Sequence, residues 1–283
     1  MPRSNSASRE STEAAVRAIA VDWSGRKSGE RSVIRLAEAR GQLLTRIEGG
    51  RTRAEVIDHL IDEASRDPRL IVGFDFSFSL PQWFLRSHGL ERAPQLWDLA
   101  AASGEDWLKQ CAPPFWGLPG RPRPPADSAR PQLRATDIAT AALAGPNGRM
   151  PRSPFQISGA GLVGAATVRG MPFLPRLREA GFRVWPWDAL EPPAVVEVWT
   201  RIAIGDAVKS SFEARTKAVA EDPRIPAGLK LAAAESEDSF DAATTAVWLA
   251  GQVGTMVGTA RSRSATDLLE GSTWVPPADR LGP

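Results

Sequence analysis

A chain of 283 residues, 42% hydrophobic and 24% charged, is long enough to bury a full core and has an ordinary globular composition. Its 35 Lys and Arg against 33 Asp and Glu leave a net charge of +2, which excludes the broad basic footprint of a high-affinity DNA-binding protein; any nucleic-acid contact would have to be local. The single Cys111 excludes an internal disulfide and a cysteine-based zinc site, and the only histidines, His59 and His88, argue against Ser-His-Asp or Cys-His catalysis.

Residues 1–14 are polar, lack the apolar region of a signal peptide and read as a disordered tail; a cytoplasmic location is the expectation. The remainder, 15–283, reads as one domain. Ala15–Trp23 is predicted to be a strand closing on Asp22, which puts a carboxylate at a strand tip. Arg31–Ala39 and Gln42–Ile47 read as a hairpin turning at Arg40-Gly41. Thr52-Arg-Ala-Glu55 is a capping box; Val56, Ile57, Leu60, Ile61 and Ala64 form one face of the helix it opens, and Asp67-Pro68 stops it. Leu70–Asp75 is continuously apolar, as in a buried parallel strand, and again ends in an acid.

The segment 82–150 is expected to be an insertion lying over the site, with Pro94–Lys109 helical and Cys111–Pro131 a Pro- and Gly-crowded loop. Its Arg121, Arg123, Arg130 and Arg134, near Phe115 and Trp116, suit either a grip on a nucleic-acid strand or a solvated surface loop. Further on, Ala165–Ala180 reads as a helix broken near Pro172 and Pro175, and Phe182–Trp185 and Ala194–Trp199 as strands. Asp206–Glu221 is predicted to be an amphipathic helix and Ser236–Gln252 the last long one, with Ser236 as its cap and Glu237 and Asp238 in its first turn. The charge-free run Ala242–Ala260 carries four threonines, three glycines and a glutamine, so a buried helix and its exit loop are expected, and no membrane partner.

Gly159-Ala-Gly161-Leu-Val-Gly164 matches a dinucleotide-binding fingerprint letter for letter. Pro172 and Pro175 interrupt the helix such a site needs and Pro186 precedes the candidate acid Asp188, so tight loop packing is the preferred role of these glycines. The acids make a better case. Asp22, Asp75 and Glu197 lie beside apolar strand sequence, where an unpaired charge is costly, and Asp238 and Asp241 share one helix face. Oxygen-rich clusters of this kind suit Mg²⁺ or Mn²⁺, two of which can activate water and stabilise a leaving oxygen in phosphodiester hydrolysis. Taken alone, Asp238 fits a helix-capping role equally well.

Three strands, a helix and a fourth strand, with acids on the first and fourth, resemble the ribonuclease H-like fold. Asp238-Ser-Phe-Asp241-Ala242 is similar to the element opening a late helix in Holliday-junction resolvases of that superfamily. More closely, Val21-Asp22-Trp-Ser24, Gly73-Phe-Asp75-Phe-Ser-Phe-Ser-Leu-Pro81, Arg169-Gly-Met-Pro-Phe-Leu, Val184-Trp-Pro, Val196-Glu197-Val and Phe240-Asp241-Ala resemble the family labelled domain of unknown function 429, a predicted nuclease group. Glu270-Gly271 and Trp274 fit its closing segment, whereas Thr200 stands where the pattern has proline. The likeness spans roughly residues 15–275 and resides in the order and spacing of short motifs. It implies an α/β fold with a ribonuclease H-like mixed central sheet flanked by helices, and a Mg²⁺- or Mn²⁺-dependent nuclease acting on DNA or RNA. By the same resemblance Asp22, Asp75, Glu197 and Asp241 are catalytic metal ligands, and Asp238 is a fifth candidate. Ser24 and Arg169 are candidate substrate contacts; Lys209 and Arg215 would face either a phosphate or solvent. Two other readings are an actin-like ATP-dependent phosphotransferase and a non-catalytic binding or scaffold module. The first is weakened because the hairpin turn lacks a second phosphate loop, the second because all four acids are retained.

Overall fold

The computed structural model of the chain describes residues 16–144, 149–159, 163–205, 207–257 and 263–277, so the expected tail lies outside it. Six strands form one mixed sheet: β1 (Arg17–Asp22), β2 (Arg35–Arg40), β3 (Leu43–Gly49), β4 (Leu70–Phe74), β5 (Arg183–Val184) and β6 (Ala194–Glu197), in the order β3-β2-β1-β4-β6-β5. The first three pair antiparallel, while β1, β4, β6 and β5 run parallel to one another. The predicted hairpin turns on Gly41 and Gln42, both at positive φ (52° and 76°), the twist-matched geometry of a tight two-residue turn. Its first strand starts late because Glu30–Ser32 form a 3₁₀ turn.

Helix α1 (Arg53–Arg66) opens as predicted, with Thr52 and Glu55 satisfying each other's backbone N–H groups. It leads into β4, which lies parallel to β1, as a helical crossover allows. The 82–150 segment holds α2 (Gln82–Ser87), α3 (Ala93–Gln110) and α4 (Ala135–Ala144), with neither helix nor strand between the last two. After them come α5 (Val163–Gly170), a 3₁₀ turn at Met171–Phe173 and α6 (Leu174–Glu179), the break expected at the prolines. The C-terminal part holds α7 (Thr200–Ile204), α8 (Phe212–Glu221), α9 (Ala227–Ala234), α10 (Glu237–Met256) and α11 (Ala265–Glu270). Among the described residues no helix is long and apolar enough to cross a membrane.

Side chains alternate across the sheet and sort the core into two layers. Ile19, Val21, Val72, Phe74 and Val195 point to the side where Leu96, Trp97, Val168 and Leu174 complete one buried cluster. Ala18, Ala20, Ile71, Ala194 and Val196 point to the other side, against Ala242, Ala243, Ala246, Val247 and Leu249 of α10. Small side chains there let α10 approach closely: a Cβ on Gly73 would sit 2.8 Å from Val198 Cγ1 and 3.2 Å from Leu249 Cδ2. Within the 82–150 segment, Phe84, Leu85, Leu96, Trp97 and Leu108 are core residues of the first layer, so α2 and α3 help build the domain.

Candidate functional site

Register brings the first two acids together. Val21 of β1 pairs with Phe74 of β4, so the next residues, Asp22 and Asp75, meet at the carboxyl edge of the sheet, and both are partly exposed. Their carboxyl groups share a hydrogen bond, and the Trp23 N–H donates to Asp75 Oδ1 at 2.7 Å. The chain leaves β1 through Gly25, where a Cβ would lie 2.4 Å from the Ala166 nitrogen; only glycine lets this loop lie on α5. From the second layer, α10 begins at the same edge. Ser236 caps it by accepting from Ser239 N–H at 3.0 Å, and Asp241 follows within two turns, 3% exposed. Lys209, just before α8, seats its ammonium on Asp241 Oδ2, while Asp241 Oδ1 is buried without a hydrogen-bond partner.

Burial lifts the pKa of Asp22 well above the carboxylate range, and the charges of Asp75, Asp241 and Asp238 lift it further. Burial also raises Asp75, to about 6, against the hydrogen bonds from Asp22 and the Trp23 N–H that hold its charged form. For Asp241, burial outweighs the opposing Lys209 ammonium and the net direction is upward. The largest influence on Lys209, burial, works to lower its pKa, yet Asp241, Asp22 and Asp75 together raise it. The site therefore concentrates more negative charge than one ammonium neutralises, which favours protonation of the Asp22–Asp75 pair.

Glu197 does not join this group, which corrects the expectation for it. It pairs in register with Phe74, not with Asp75, so its side chain points into the first layer, away from Asp22. Its carboxylate is filled there: Arg134 grips both oxygens (Nη1 to Oε2 at 2.8 Å), Phe78 N–H donates at 2.9 Å and the Thr273 hydroxyl at 2.8 Å. Arg134, which sequence reasoning placed among loop arginines, is 1% exposed and also binds Asp137 and the Glu270 carbonyl. Burial raises the Asp137 pKa despite that arginine. Glu270 accepts from the N–H groups of Gln82 (2.8 Å) and Thr136 (3.3 Å), fastening the C-terminal segment to α2 and α4.

The candidate substrate contacts divide. Lys209 faces the carboxylates. Arg215 is buried and faces inward, donating to the carbonyls of Ala234 (3.0 Å) and Lys209 (2.5 Å), so it positions Lys209 and has no free face for a phosphate. Arg169 pairs with Glu105 at 2.6 and 2.8 Å and donates to the Gly25 carbonyl, while Arg53 donates to the Ser24 carbonyl at 3.0 Å. Both arginines thus hold the loop that follows Asp22. The Ser24 hydroxyl accepts from the Arg26 N–H at 3.2 Å. Asp238, partly exposed in the first turn of α10, adds negative charge near Asp22.

A cleft of about 410 Å³ opens elsewhere, between α4, the Trp185-Pro186 end of β5 and the start of α11. None of the carboxylates Asp22, Asp75 and Asp241 lines it, so charge and geometry locate the candidate site better than concavity does. Of the glycine-rich motif, Gly161 lies outside the described residues; Gly164 is held where a Cβ would be 2.6 Å from the Gln156 carbonyl, as packing requires. Among the described residues no three His, Cys, Asp or Glu side chains are already disposed around one metal position. Two carboxylates do suffice for Mg²⁺, which keeps several waters and takes its other ligands from substrate phosphate. Asp22 and Asp75, with the unpartnered Asp241 Oδ1 nearby in charge, offer such hard oxygen donors. Set against known proteins, the chain matches no family model, no curated protein and no solved structure.

Proposed function

We propose that the chain is a metal-dependent hydrolase of nucleic-acid phosphodiesters built on a ribonuclease H-like sheet. The observation carrying this reading is the Asp22–Asp75 pair at the tips of two adjacent parallel strands, faced by Asp241 and Lys209. Two carboxyls held against each other repel when both are ionised, and a cation between them favours the charged forms of both. The sheet order, with three antiparallel strands followed by a parallel β4, supports the ribonuclease H-like reading.

Asp22 and Asp75 would hold Mg²⁺ or Mn²⁺, with Asp241 as a further ligand. Bound there, the ion would activate water and neutralise charge developing on the phosphate. The chain's own groups supply the rest. The Trp23 N–H fixes one Asp75 oxygen and so aims the other. Lys209 offers an ammonium to a phosphate oxygen, and Arg215 keeps its backbone in place. Arg53 and Arg169 hold the loop after β1 and set the position of Asp22.

The test is Mn²⁺ calorimetry on wild type, Asp22→Asn and Asp75→Asn, followed by cleavage assays on single- and double-stranded DNA and RNA. Binding in wild type that both variants lose, together with Mn²⁺-dependent cleavage, supports the proposal. A folded wild type that ignores millimolar-scale Mn²⁺ even with oligonucleotide present would leave the scaffold reading in its place.

A further inference from the structure

We propose that Lys209 is a displaceable counter-ion: it holds Asp241 until a divalent cation takes its place, and it then binds substrate phosphate, so metal and phosphate bind cooperatively. This inference rests on the metal-dependent reading above and adds an order of events to it.

Asp241 is only half satisfied. Lys209 covers Oδ2, while Oδ1 is buried with no donor, a situation that costs free energy unless something completes it. The Lys209 side chain keeps about a third of its surface exposed (33%) and has a flexible four-carbon stem, so its head can swing toward solvent. Its backbone cannot follow. Arg215 clamps the Lys209 carbonyl at 2.5 Å and reaches the Ala234 carbonyl at 3.0 Å, two residues before the Ser236 cap of α10. One arginine thus ties the anchor of the lysine to the segment that leads into the helix carrying Asp241.

Charge sets the rest. Asp22, Asp75 and Asp238 surround the pair, so a divalent cation is attracted to the same place. A dication and an ammonium on one carboxylate repel each other, and a metal arriving alone must either tolerate Lys209 or separate it from its partner. A phosphate anion gives the released ammonium a new partner and removes that penalty. Coupling of this kind is reciprocal: phosphate tightens metal by the factor by which metal tightens phosphate.

The experiment is Mn²⁺ calorimetry on the full chain at neutral pH, with and without dimethyl phosphate, a soluble phosphodiester anion. In wild type, dimethyl phosphate should tighten Mn²⁺ binding by about tenfold, within the usual range of allosteric coupling. Lys209→Met should bind Mn²⁺ more tightly than wild type without the anion and lose the coupling; Lys209→Arg should keep it. Should the methionine variant unfold, Lys209→Gln keeps a donor for Asp241 without the charge and takes its place. Weaker or unchanged Mn²⁺ binding in the uncharged variant, or coupling that persists in it, overturns the proposal while leaving the metal site intact. Wild type that binds no Mn²⁺ under either condition overturns the metal reading itself, and this inference with it.

Discussion

Asp75 holds the most readable titration of the site. Its pKa stands at about 6 in the folded chain against 3.8 for a free side chain. Between those values the folded state binds more protons than the unfolded state, so stability falls as pH rises. The contribution is complete below the lower value and lost above the upper one, worth at most about 3 kcal/mol at roughly 1.36 kcal/mol per pH unit. Asparagine keeps an oxygen for the Trp23 N–H and carries no charge. Without metal, Asp75→Asn should therefore be more stable than wild type above about pH 7, by roughly 1–3 kcal/mol, with the gap closing below about pH 4. Urea unfolding of both proteins across that range measures it, and parallel curves would mean that Asp75 titrates normally. Phe212 is 55% exposed, three positions after Lys209, and the Arg215 guanidinium sits 5.7 Å from its ring centroid. An exposed aromatic held near the lysine proposed to take a phosphate suits base stacking. On the nuclease reading, Phe212→Ala should weaken binding of a single-stranded oligonucleotide about tenfold by fluorescence anisotropy and leave Mn²⁺ affinity unchanged.

At the scale of elements, the buried network around Arg134 ties β6, α4 and the C-terminal segment together with charge instead of apolar contact. Removing one partner leaves an uncompensated buried charge, which costs about 3–5 kcal/mol. Arg134→Met should lose about that much on chemical unfolding, whereas Glu197→Gln, though destabilised, should bind Mn²⁺ like wild type. Loss of binding in a folded Glu197→Gln would return this residue to the metal site. The contrast also marks where the sequence was legible. The capping box, the two acid-tipped strands and the Ser236 cap could be read because each is a local pattern with a local cause. The face of Glu197 could not. Ala194-Val-Val-Glu197 is buried on both sides, so it carries no alternation from which to read a direction, and only pairing with Phe74 decides it. Arg134 was hidden for a similar reason, since its partner Glu197 lies 63 residues away. The alanine-rich α4 and α9 were missed because neither shows a polar and an apolar stripe for periodicity to detect.

Across the whole molecule, the two faces of the sheet do different work. One face carries the aromatic core and the buried ion network; the other receives α10 on a floor of small residues, and its acids converge only at the carboxyl edge. The candidate site thus joins β1, β4 and α10, three elements that meet through packing and not through local sequence. An ion bound there links all three in the folded state and finds no such arrangement in the unfolded chain, so its binding free energy adds directly to stability. At a Mn²⁺ concentration of about 100 times Kd the gain is about 2.7 kcal/mol, which for a chain of this size raises Tm by roughly 4–5 °C. That shift should be absent in Asp22→Asn. Because a carboxylate must be ionised to hold the ion, the shift should also shrink as pH falls below about 6, where Asp75 takes up a proton. Calorimetric scans of wild type and Asp22→Asn at pH values on either side of that point test both statements together. A Tm rise of equal size in the variant would assign the metal to some other part of the surface, and a rise insensitive to pH would mean that the metal does not compete with a proton for Asp75.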